Sequence, residues 1–158
     1  VRKAVGSQFP IIFRFSQWKT GHYDAKLART PVELEDFLTP LTEAGVDIFD
    51  CSTRRFWEPE FEGSRLNLAG WTKKLTGKPA ISVGSVGLNR EFTNVFDGGP
   101  EAETASIEPL VERMQAGEFD LIAVGRALLA DAEWAQKIHH SREKEIRQFT
   151  KEALQSLS

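Results

Sequence analysis

Residues 119–134 read FDLIAVGRALLADAEW, and in them a strand-like run meets a helix-like run at Gly125 and Arg126. The run from Leu121 to Gly125 is mostly apolar and partly β-branched, which is typical of a buried strand. A glycine lets backbone N–H groups approach a ligand closely, and a helix beginning there favours an anion. Because arginine adds a planar fork suited to phosphate, this junction is predicted to bind a phosphate group.

Two further segments carry residues suited to an anion. A strand-like run at 80–84 ends at Gly84 and is followed by Ser85 and Gly87, and Arg14 lies inside an apolar run at 11–15. An arginine in a buried strand is costly unless it meets an anion or hydrogen-bond acceptors. Each feature also has a plainer interpretation, because Arg14 could form a structural ion pair and the glycines could simply end their strands.

Repeated strand and helix patterns would position these residues. Apolar runs typical of strands occur at 11–15, 46–51, 80–84 and 121–125. Helical periodicity fills the intervals, so the order is a fourfold βα repeat, which favours a parallel sheet covered by helices. The repeat fits either a small open, doubly wound sheet or part of a closed barrel, and both place function at the carboxyl ends of the strands.

The chain is expected to form a single segment in three parts. Residues 1–6 read like the end of a preceding helix, four βα units occupy 10–141, and a tail helix is expected over 143–157. The long segments follow strands, at 16–29, 51–66 and 85–105. A chain that starts on such a helix end is expected to be either a piece of something longer or a chain with a processed or trimmed terminus.

Composition excludes several classes of protein. The net charge of −3 argues against general nucleic-acid affinity, and no apolar run approaches the roughly 20 residues of a membrane span. The only cysteine, Cys51, allows no internal disulfide, so we expect a reducing compartment and a cytoplasmic protein. Neither a metal-ligand spacing nor a dinucleotide fingerprint at the first repeat is present.

Aromatic residues after the first two strands are candidates for a substrate pocket. They are Trp18, Phe56 and Trp57, and each could instead pack beneath its loop. Cys51 is more typical of a small buried residue than of a substrate contact. The histidines are expected at the surface.

Three segments together resemble the C-terminal half of Old Yellow Enzyme-family proteins. They read FRFSQWK, STRRFWEPEFEGSRLNLAGWTKKLTGKPAISVGSVGL and DLIAVGRALLADAEW. These proteins are FMN-dependent NAD(P)H:flavin oxidoreductases, including 12-oxophytodienoate reductase-like ene reductases. The resemblance implies the C-terminal half, (βα)₄, of a TIM (β/α)₈ barrel with FMN at its mouth.

The resemblance also implies roles for single residues. Arg14 matches the family arginine at the pyrimidine edge of the flavin, where a cation favours flavin reduction. Gly84 and Ser85 match one phosphate-binding turn, although some members have Gly-Asn there, and Gly125 and Arg126 match the other. The family's substrate-anchoring pair and proton-donating tyrosine lie on earlier strands, so no catalytic residue is assigned here.

The function that follows is the FMN-binding part of an NAD(P)H-dependent ene reductase acting on small α,β-unsaturated carbonyl compounds. Its partners would be the missing N-terminal half-barrel or a second copy joined through open sheet edges. Two alternatives remain: a non-catalytic phosphate-binding half-barrel that self-associates, and a barrel enzyme that takes a phosphate ligand without a flavin. In isolation the segment is expected to be inactive.

Overall fold

Four short parallel strands form the centre of the molecule. The structure, a computed structural model, describes residues 1–92 and 99–155. The strands are β1 (Ile12–Ser16), β2 (Ile48–Ser52), β3 (Ala80–Val83) and β4 (Leu121–Ala123). They pair in parallel in the order β1-β2-β3-β4, so consecutive strands are always neighbours. The four predicted strands are confirmed, with β4 shorter than expected.

Helices connect and follow the strands. They are α1 (Arg2–Val5), α2 (Pro31–Glu43), α3 (Leu68–Thr76), α4 (Glu108–Gln115), α5 (Arg126–Ala130) and α6 (Trp134–His139), with 3₁₀ helices at Glu143–Glu145 and Lys151–Leu154. Local sequence signals set some of these bounds. Thr30 caps α2 by accepting from the Glu33 N–H, and α3 ends at Gly77 in the left-handed region.

The two faces of the sheet differ, because successive side chains point to opposite sides. Phe15, Phe49 and Cys51 are buried on the face that the helices cover. Ile12 and Leu121, on the other face, are 54% and 47% exposed. Strands in chain order with helices on one face are the (βα)₄ arrangement of a half barrel, which settles the choice against a doubly wound sheet.

The predicted tail helix over 143–157 is wrong for the described residues. The chain instead makes two 3₁₀ turns, separated at Ile146 by extended backbone. The Arg147 N–H donates to the fully buried carboxylate of Asp131, at 2.9 Å. This long-range bond takes a donor that a continuous helix would need. Phe149, two residues further on, is fully buried. Leu157 lies outside the described residues, as does part of the segment at 85–105.

Asp131 also interrupts the helical pattern after β4. Its carboxylate accepts from Lys137 Nζ at 2.7 Å and from the Glu133 N–H at 3.1 Å, so the chain turns there and α5 and α6 form separately. In the part of the chain that the structure describes, no helix is both long and apolar enough to cross a membrane.

Candidate functional site

The carboxyl ends of the strands surround one cleft of about 290 Å³, called here the main cleft. All five residues predicted to bind the cofactor line it, together with Trp18: Arg14, Gly84, Ser85, Gly125 and Arg126. Parallel strands end at the same edge of a sheet, which is why residues far apart in the chain meet here. The other two pocket candidates lie elsewhere. Phe56 is buried in the core, and Trp57 packs edge-on against it with ring centroids 5.1 Å apart.

The turn after β3 is held in an unusual backbone conformation. Gly84 has φ of 140°, and Ser85 has φ of 52°, a region that residues other than glycine rarely enter. A Cβ on Gly84 would come within 2.6 Å of Thr53 Oγ1 and 2.7 Å of the Thr53 carbonyl oxygen. Glycine is therefore required at 84 by the neighbouring strand end. Backbone strain of this kind concentrates at ligand sites.

The Ser85 side chain forms hydrogen bonds within the protein. Its hydroxyl lies 2.9 Å from the carbonyl oxygens of Arg54 and Arg90, and it accepts from Arg126 Nη2 at 3.2 Å. A serine at this position therefore helps to fix the orientation of the Arg126 guanidinium.

Arg126 has one half of its guanidinium bonded and the other half unpaired. Nη2 donates to the Arg90 carbonyl at 2.6 Å, whereas Nη1 is buried without a hydrogen-bond partner among residues 1–92 and 99–155. Burial lowers the pKa of Arg126, and the charge of Glu91 acts in the opposite direction. The Phe149 ring lies 5.6 Å from the guanidinium carbon and supports it from the tail. A buried, unpaired guanidinium N–H beside a cleft is suited to an anionic ligand.

Arg14 was expected in a buried strand, and that expectation is wrong. It lies on the open face of the sheet, with its side chain 61% exposed. Its Nη2 donates to Ser52 Oγ at 3.2 Å, and its Nη1 lies 3.5 Å from the Asp50 carboxylate. The ion pair considered as the plainer interpretation is thus present, in a position that also faces the main cleft.

Gly125 precedes a helix of only five residues, α5. The predicted helix-terminal contribution to anion binding is correspondingly small, because so few peptide dipoles are aligned. Apart from adjacent residues of the chain, no described atom lies within 4 Å of a Cβ built on Gly125, so tertiary packing there does not demand glycine. Gly125 and Arg126 both line the main cleft.

A smaller side cleft of about 90 Å³ adjoins the main cleft and shares Trp18 and Arg54 with it. Between the first two long loops, Glu60 accepts from Gln17 Nε2 at 2.9 Å and from Lys26 Nζ at 2.5 Å. Burial raises the pKa of Glu60, while Lys26 and Gln17 act to lower it. Sequence reasoning missed Glu60, because the partners that bury it come from a distant loop.

Trp18 does line the main cleft, in an aromatic cluster. Its ring centroid lies 5.3 Å from that of Tyr23 and 5.6 Å from that of Phe92. Cys51, by contrast, is fully buried, and burial raises its pKa to about 12. The interpretation of Cys51 as a packing residue is confirmed. All three histidines are exposed, and the described residues contain no cluster suited to a metal ion.

Comparison with known proteins relates the chain to part of larger oxidoreductases. No family model matches it. It is 32% identical over 157 residues to an NADH oxidase of Thermoanaerobacter brockii, covering 93% of this chain and 20% of that protein. The chain thus spans about a fifth of the length of this relative.

Two solved structures share the fold. One is histamine dehydrogenase from Rhizobium sp. 4-9, with a TM-score of 0.56, 24% identity, and coverage of 93% of this chain and 19% of that one. The other is 6-hydroxypseudooxynicotine amine oxidase from Pseudomonas geniculata N1, with a TM-score of 0.52, 24% identity, and coverage of 92% and 20%. Together with the strand order, these likenesses confirm the α/β half-barrel fold.

Proposed function

We propose that this chain supplies the phosphate-binding part of the FMN site in an NAD(P)H-dependent flavin oxidoreductase. The observation that carries the proposal is the unpaired, buried Nη1 of Arg126 beside the strained turn at Gly84 and Ser85. The similarity to an NADH oxidase supports a redox function.

The residues of the main cleft fit this cofactor. Arg126 would bind the phosphate through Nη1, while Ser85 holds the other half of the guanidinium in place. The cleft, about 290 Å³, is at the lower end of small-ligand pockets, which measure roughly 300–1,000 Å³. It therefore suits the phosphate end of FMN, with the ring system lying over the open face of the sheet that carries Arg14.

Arg14 would then lie at the pyrimidine edge of the ring system. When bound, FMN supplies hydride transfer between NAD(P)H and an electrophilic substrate. A guanidinium there stabilises the negative charge that reduction places on the ring, and its three-fifths exposed side chain leaves donors free on the open face. Trp18 would border the substrate side of the cleft.

In finer detail, we propose an Old Yellow Enzyme-like ene reductase acting on α,β-unsaturated carbonyl compounds. This chain would contribute cofactor binding, and the groups that orient the substrate and donate a proton would come from the strands that complete the barrel. Those strands would be another part of a longer polypeptide, or a second copy pairing with the edges at β1 and β4.

The unpaired donor of Arg126 would bind any phosphate group and is not specific for a flavin. The competing proposal is therefore a barrel enzyme that takes a different phosphate ester, or a non-catalytic half-barrel that binds one.

The distinguishing experiment is purification of the natural protein that carries this sequence, with absorbance at flavin wavelengths and mass spectrometry of the extracted cofactor. Stoichiometric FMN is the expected result. A colourless protein that binds simple phosphate esters, or one that turns over substrate without flavin, would overturn the assignment in favour of the competing proposal.

A further inference from the structure

We propose that Asp50 is a positioning residue that acts on the flavin through Arg14. Its carboxylate holds the guanidinium against the open face of the sheet and offsets part of its charge. This inference rests on the proposed FMN site and assigns a regulator of redox potential within it.

The sheet register places the pair side by side. Arg14 and Asp50 are directly paired residues of the parallel strands β1 and β2. Both side chains point to the open face, on the same side as Ser52, whose hydroxyl accepts from Arg14 at 3.2 Å. The guanidinium is thus held by two partners on β2, one neutral and one charged.

Asp50 differs from the aspartates that serve only the fold. Asp120 uses both oxygens, accepting from Lys73 Nζ at 2.9 Å and from the Ala80 N–H at 3.0 Å. Asp131 likewise has partners on both oxygens. Asp50 is largely buried, yet its Oδ1 has no hydrogen-bond partner among the described residues.

A buried carboxylate oxygen without a hydrogen-bond partner lowers the stability of the fold, so the presence of Asp50 calls for a reason other than stability. Asp50 Oδ2 lies 3.5 Å from Arg14 Nη1, an ion-pair distance beyond that of a directed N–H···O bond. Its influence on Arg14 is therefore chiefly that of a charge.

The surroundings strengthen that influence. The residues at the same level of the sheet on β3 and β4 are Ile81 and Leu121, and both are apolar. Once the open face is covered by a ring system, the pair lies in a medium of low polarity, where charges act more strongly than in water. The positive charge of Arg14 would favour the reduced flavin, and the negative charge of Asp50 would oppose that effect.

The experiment is a redox titration of the flavin in the natural protein, comparing wild type with Asp50→Asn. The asparagine keeps the shape and an acceptor oxygen but removes the charge. We expect the ratio of reduced to oxidised flavin at a fixed potential to rise about tenfold, or about 30 mV for a two-electron couple. Asp50→Glu, which keeps the charge, should stay within about threefold of wild type.

Asp120→Asn is the matched control, since it removes an aspartate with partners on both oxygens that lies just before β4, two strands away from Asp50. It should lower thermal stability and leave the flavin potential unchanged. If Asp50→Asn does not fold, Asp50→Ser takes its place as the neutral variant.

The outcomes separate this inference from the proposed function. A wild-type protein that holds no flavin overturns both. A flavin whose potential is unchanged or lowered in the neutral variants, or shifted as much by Asp50→Glu, overturns the role of Asp50 and leaves the FMN site intact.

Discussion

Replacing Arg126 by alanine should weaken FMN binding far more than riboflavin binding. Nη2 already donates to Arg90 and Ser85, so only the Nη1 half of the guanidinium is free for a phosphate. One charge-assisted hydrogen bond contributes about 1.5–3 kcal/mol, which corresponds to a loss in affinity of roughly 10- to 150-fold. Riboflavin lacks the phosphate, so its affinity should fall only as far as the loss of the hydrogen bond from Arg126 displaces the backbone at Arg90.

The assay is a titration of the apoprotein with each flavin, followed by quenching of flavin fluorescence. Arg126→Lys should recover part of the FMN affinity, because lysine keeps the charge but not the fork. Arg142→Ala is the matched control, since Arg142 pairs with Glu145 at 3.1 Å and lies outside the main cleft. Equal losses for FMN and riboflavin would refute the assignment of Arg126 to the phosphate.

Four further predictions concern the remaining features. Arg14→Ala should lower the midpoint potential of the flavin with little change in FMN affinity, and an unchanged potential in a redox titration would remove Arg14 from the flavin site. Gly84→Ala should destabilise the protein by about 1–3 kcal/mol in urea unfolding, because its Cβ would meet Thr53, whereas Gly125→Ala should reduce FMN affinity and leave stability near wild type. Burial acts to raise the pKa of Asp131, but Lys137 and backbone N–H donors lower it overall. The contribution of Asp131 to folding stability should therefore be present above about pH 4 and be lost as pH falls through the lowered pKa. Thermal melting curves of Asp131→Asn at several pH values should lack this pH dependence. The 158-residue chain alone, given FMN, NADPH and cyclohexenone, should show no ene reduction and should self-associate in sedimentation, and a monomer with flavin-enzyme turnover would contradict the half-barrel proposal.

Local patterns predicted the strands well, because runs such as those around Phe49 and Ile122 are apolar and bounded by turn residues. The prediction of a tail helix was wrong because the buried carboxylate of Asp131 accepts the Arg147 N–H, a long-range contact that hydrophobic periodicity does not reveal. The open face of the sheet likewise gave Arg14 an exposed position that the composition of β1 did not reveal.

Within the candidate site, glycine and arginine at or near strand ends led to the prediction of Arg14, Gly84, Gly125 and Arg126, which are some of the residues that line the main cleft. The contacts of Asp50 and Glu60 were not predictable, because each depends on a partner from another strand or loop. Pairing across the sheet is a property of register, which a single sequence specifies only through the complete fold.

The contact between Phe149 and Arg126 has a consequence for the order of events during synthesis. Phe149, whose ring lies beside the Arg126 guanidinium, is made after β4, α5 and α6. At roughly 5–20 residues per second, the ribosome takes about 1–5 s to reach Phe149 from Arg126. The proposed cofactor would therefore bind to the nascent chain only after Phe149 has emerged and packed against Arg126.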